Sequence, residues 1–218
     1  MRVKNVLMSV SVALFLCLPT LVAQALQQTH ILERGVGPLR LKGETIDKIL
    51  EIISEDYKIP IGIDLADSRE SQDREIDVNL PEMALKSVLD YLVMQDSRYG
   101  WKLEGKVIHF FPVKDRDNLL ATLLDTKLSR VSFSSELRLS DIKYEILSLP
   151  ELEGKLDKTH VKPLMFEMGI PSEKLGVPLQ HSNLTLRELL DQITLTTTRR
   201  FWVLSRWGDN NKYLILRL

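Results

Sequence analysis

Cysteine is nearly absent from this 218-residue chain, with Cys17 the single example, and aromatic side chains make up only 6% of it. One cysteine excludes a disulfide framework and a thiolate metal cage, so core packing must hold the fold together. The four histidines, His30, His109, His160 and His181, are scattered along the chain, none at helical or hairpin spacing from another. A zinc or acid–base centre needs ligands or partners clustered at a motif spacing, and that pattern is missing. No G-x-S-x-G elbow, phosphate-cradling glycine loop or H-E-x-x-H is present either. The sequence therefore assigns no catalytic residue, no cofactor-binding residue and no metal ligand. His109 reads as a packed strand residue, and the acid pairs Glu55–Asp56 and Asp73–Glu75 as parts of solvated faces. There is also no excess of charge: the formal net charge is -1, which offers nothing to draw in nucleic acid.

The first twenty-five residues carry the strongest single signal. Arg2 and Lys4 precede an almost unbroken apolar run from Val6 to Leu18, Pro19 interrupts it, and Ala23-Gln24-Ala25 supplies a small-x-small cleavage triplet. The run is thirteen residues long, short of the roughly 20 that span a bilayer as a helix. The reading is a secretory signal peptide over 1–25 that places the mature chain, without a transmembrane segment, in the periplasm or outside the cell. Removal of Arg2 and Lys4 with the leader takes the net charge to about -3.

The remaining sequence has mixed periodicity, with strands alternating apolar residues and helices repeating them every three to four, and predicts an α+β fold of two small β-α-β type modules, each a short sheet with helices on one face. The first, 26–113, contains Leu39 and Leu41 in alternation, then Ile46, Ile49, Leu50 and Ile53 at helical spacing after Thr45 as N-cap. A second strand and helix follow, opened by Pro81, and a hairpin turns at Glu104-Gly105-Lys106. A polar stretch over 114–128 reads as a linker, and the second module occupies 129–218 with an insertion at 151–178. The two modules are tied by a repeat: Met83, Leu85, Val88, Leu89, Leu92 and Trp101 recur 101 residues later as Leu184, Leu186, Leu189, Leu190, Ile193 and Trp202. Asn183-Leu184-Thr185 fits a glycosylation triplet, but Thr185 stands where the repeated helix needs its cap.

The strand LRLKG, the helix TIDKILEIIS, then IPIGID, IDVNLPEMALKSVLDYLV and the hairpin WKLEGKVIHFFPV together resemble the short N-terminal domain shared by secretins and TonB-dependent receptors and transducers, over about 38–113, with a weaker related copy at 177–218. The resemblance implies a non-enzymatic docking or signalling adaptor whose partner is another protein of the cell envelope. A periplasmic enzyme or small-ligand binder with its site between the modules is the alternative. In the last hairpin, alternation places Trp202, Leu204, Leu214, Leu216 and Leu218 toward the helix, and Val203, Trp207, Tyr213 and Ile215 on the opposite side. That opposite side is apolar where an antiparallel sheet should meet water, so it is expected to be covered, either by the rest of the chain or by a partner.

Overall fold

A computed structural model describes residues 30–65, 74–114, 118–164, 173–207 and 212–218. The proposed leader and most of the charged run at 67–75 lie outside the described residues. The first half of the chain runs β1 (Gly35–Val36), β2 (Leu39–Glu44), α1 (Ile46–Tyr57), β3 (Ile61–Asp64), β4 (Ile76–Leu80), β5 (Met83–Ala84), α2 (Leu85–Gln95), β6 (Tyr99–Glu104) and β7 (Val107–Pro112). The second half continues with α3 (Asn118–Leu124), β8 (Lys127–Phe133), α4 (Leu139–Leu147), α5 (Pro150–Thr159), β9 (Lys162–Pro163), β10 (Leu179–Thr185), α6 (Leu186–Thr196), β11 (Phe201–Trp207) and β12 (Tyr213–Arg217).

Local chemistry sets most of these boundaries. Thr45 is the N-cap residue of α1, where its hydroxyl bonds Asp47 rather than a backbone amide, and Lys58 ends the helix in the left-handed conformation. Thr185 caps α6 through a full capping box: its side chain accepts from the Glu188 amide while the Glu188 carboxylate accepts from the Thr185 amide. The β6–β7 hairpin closes on a two-residue turn in which Gly105 adopts φ +60°, the left-handed geometry such turns need at their first position. Two expectations shift. Pro81 does not open α2, because β5 intervenes and the helix begins after Ala84. Pro150 does end the helical run of α4, but by standing at the first position of α5, where its missing N–H costs nothing.

Both halves follow one topology. In the first, β2 pairs antiparallel with β4, β6 antiparallel with β7, and β7 parallel with β3. In the second, β8 pairs antiparallel with β10, β11 antiparallel with β12, and β12 parallel with β9. Thus β2-α1-β3-β4-α2-β6-β7 corresponds to β8-α4/α5-β9-β10-α6-β11-β12, and the stretch 151–178 holds α5 and β9, the counterparts of the end of α1 and of β3. Within 114–128, α3 sends Leu120, Leu123 and Leu124 into the second core.

The halves share one sheet. Strand β3 pairs parallel with β11, giving a six-stranded order β6-β7-β3-β11-β12-β9. Because β6 runs opposite to β3 and β11 runs with it, the second module is turned over relative to the first. Alternate residues of β11 therefore enter different cores: Phe201 and Val203 join Ile61, Ile63, Ile108 and Phe110, whereas Trp202 and Leu204 join α6 and the leucines of β12. The first core lies on one face of the sheet and the second on the other. Leu89 and Leu190 occupy equivalent places in the two cores and are both fully buried. Leu89→Ala and Leu190→Ala should each lower stability by about 2–5 kcal/mol in urea titration; values within about 0.5 kcal/mol of wild type would contradict two equivalent cores.

Candidate functional site

A close contact between the modules is at Gly62 in β3. A Cβ built there would lie 2.3 Å from Cε2 of the Trp202 indole, so only glycine lets the ring lie across the neighbouring strand. Trp202 is paired with Gly62 in the β3–β11 register and is completely buried. Its Nε1 donates to Asp191 Oδ1 of α6 at 2.9 Å. The repeat reproduces this bond in the first module: Trp101 Nε1 donates to Asp90 Oδ1 of α2 at 3.0 Å. Asp90 and Asp191 are also 101 residues apart, each eleven before its tryptophan. The aspartate is thus the polar part of a repeat read from apolar positions alone, and its constant offset was the available signal.

His109 of β7 lies beside this contact. It pairs with Gly62 on one side and Lys102 on the other, its ring centroid is 6.0 Å from that of Trp202, and it is 1% exposed. Its Nε2 is 3.1 Å from Asp191 Oδ2 and 3.6 Å from Glu104 Oε2, yet neither carboxylate makes a formed hydrogen bond to it. Burial pushes the Glu104 carboxyl up, but the hydrogen bond from Lys102 and the charges of His109, Lys102 and Arg187 outweigh this and hold it below the usual glutamate value. His109, Asp191 and Glu104 form a polar tie across the module junction, closed over by the indole. His30, His160 and His181 are not drawn into it, and among the described residues no group of three or more His, Cys, Asp or Glu is arranged to hold a metal ion.

On the other face, α1 of the first module crosses onto β11 and β12. The Ser54 hydroxyl donates to the carbonyls of Arg200 at 2.8 Å and Arg199 at 3.3 Å. Arg199 reaches Glu55 at 3.2 Å and Glu51 at 3.6 Å, and Arg217 pairs with Asp47 and with Glu51 at 3.8 Å. This acidic helix face meeting a basic strand face covers part of the surface singled out in the sequence. Val203 is fully buried in the first core, whereas Trp207 is 46% exposed, and Tyr213 and Ile215 are half-buried. Trp207 and Tyr213 face each other across β11 and β12 with ring centroids 6.4 Å apart. The four residues of the candidate partner face thus divide into one built into the module junction and three at the far, less covered end.

No protein-family model, no curated protein and no solved structure matches this chain.

The two Asp–Trp bonds differ in setting and so should differ in worth. Asp191→Ala strands the buried Trp202 N–H and should cost about 1–3 kcal/mol. Asp90 is half-exposed, and hydrogen bonds from Lys86 first and then Trp101 outweigh its burial and hold its carboxyl below the usual aspartate range. Asp90→Ala should therefore cost less than about 1 kcal/mol at pH 7. A lowered carboxylate contributes above its unfolded pKa and loses that contribution as pH falls through the folded one, so this smaller difference should shrink as pH falls below the usual aspartate range. Urea titrations at pH 7 and pH 3 measure both; equal costs at pH 7 would contradict the assignment.

Proposed function

We propose that the chain is an exported, non-enzymatic protein-interaction module of the cell envelope, an adaptor of the kind that the resemblance to secretin and TonB short N-terminal domains implies. The observation that carries this reading is the exposed aromatic end of the β11–β12 face, where Trp207, Tyr213 and Ile215 extend beyond the part covered by α1. Aromatic residues standing at the limit of a covered face are the composition that protein interfaces favour. The alternative, an enzyme or ligand binder between the modules, would draw among the described residues on His109 and Asp64, the polar side chains at the β7–β3–β11 junction, and both are 1% exposed. A substrate site needs a concave, reachable set of such groups.

The reading predicts that Trp207→Asp combined with Ile215→Asp leaves the mature protein folded by circular dichroism but removes its co-purifying partner from native envelope extracts. A folded double variant that retains every partner would overturn the assignment of this face, and an unfolded one would place these residues in the structural core.

A further inference from the structure

The two modules end their sheets differently, and the difference identifies a second surface. In the second module the outer side of the first hairpin strand, β11, is occupied by β3: the Ile61 amide donates to Arg200 O at 3.0 Å and the Leu65 amide to Leu204 O at 3.1 Å. The equivalent strand in the first module is β6, and among the described residues its outer side is the end of the sheet. In a two-residue hairpin the pair flanking the turn, here Glu104 and Val107, is hydrogen-bonded, so Glu104, Lys102 and Gly100 bond inward to β7. The backbone amides and carbonyls of Trp101 and Leu103 then face outward, at the positions that Trp202 and Leu204 use to hold β3. Trp202 is fully buried beneath its neighbour strand, while Trp101, anchored by the same Asp–Trp bond, is only half-buried.

We propose that the open edge of β6 is a strand-acceptor site, taking an extended segment of another protein that runs parallel to β6 and carries glycine opposite Trp101 between two apolar residues. The chemistry of the occupant is read from the strand that the equivalent edge already holds, Ile61-Gly62-Ile63, whose glycine is required by the indole lying across it. Strand addition supplies affinity through backbone hydrogen bonds and specificity through the side chains that alternate along the added strand. A second copy of this chain cannot offer that segment from its folded state, because β3 is already held between β7 and β11. The opposite edge of the sheet is a poorer acceptor: Pro163 in β9 has no N–H to give. The site goes beyond the Trp207 face and is separate from it, so the two can fail independently.

The test uses the full mature chain and, as probe, a synthetic peptide of its own Lys58–Leu65 sequence, KIPIGIDL. In a ¹⁵N-labelled protein the expected result is saturable shifts of the Trp101 and Leu103 amides, with slowed hydrogen exchange at both. Gly62→Val in the peptide should weaken binding by at least about tenfold. Leu103→Pro in the protein, which deletes one outward N–H, should do the same, whereas Leu103→Ala should bind within about threefold of wild type. If Leu103→Pro does not fold, the peptide comparison on the wild-type protein decides alone. Absence of saturable binding up to about 1 mM, or equal binding of the Gly62→Val peptide, would overturn the proposal. So would shifts confined to Trp202 and Leu204, which would mean exchange with the chain's own β3, or a dimer in sedimentation that Leu103→Pro abolishes, which would mean a second copy. Binding unchanged by Trp207→Asp with Ile215→Asp is expected, and its loss in a folded double variant would merge the two surfaces and overturn their separation.

Discussion

The close approach of Trp202 to Gly62 is the constraint on which the arrangement of the two modules depends. It needs three residues at once: a glycine with no Cβ in β3, a tryptophan at the paired position of β11, and Asp191 one helix away to satisfy the buried indole N–H. With the ring flat across β3, the edges of the two small sheets come within hydrogen-bonding distance and six strands form one sheet. A larger residue at 62 would push β3 away from β11, and the first core would lose Phe201 and Val203.

That single sheet with a core on either face explains features that are odd for isolated modules. The outward side of β11 is apolar because it is the inner side of the first core, and α1 is acidic where it meets Arg199 and Arg217 because it spans the junction. His109 is buried without a formed hydrogen bond to a carboxylate because it sits under an element that arrives from the second module. Its carboxylate neighbours come from both modules, Glu104 from β6 and Asp191 from α6, so the polar tie and the apolar contact fix the same junction.

Much of this was legible in the sequence, for identifiable reasons. The repeat from Met83 to Trp101 onto Leu184 to Trp202 was visible because helix positions facing a core keep their spacing, and the cap at Thr185 because that residue stands directly before the repeated helix. The alternation of the last hairpin correctly separated Trp202 and Leu204 from Val203. The covering of Val203 by α1 was not legible, since no local pattern tells a strand which distant helix will meet it. Residues 151–178 were opaque because prolines and short elements leave too few apolar positions for a period: β9 is two residues long and one of them is proline. The role of Gly62 was hidden for a different reason. A glycine inside an apolar strand signals close approach of something, but the sequence does not say of what.

The most direct test of the central claim, that β3 and β11 join the modules into one sheet, is native-state hydrogen exchange of the Ile61 and Leu65 amides, whose acceptors Arg200 and Leu204 belong to the other module. Both should be strongly protected in the wild type, and Leu190→Ala, which weakens only the second core, should accelerate their exchange. Exchange of these two amides at unprotected rates, or protection untouched by Leu190→Ala, would contradict that claim.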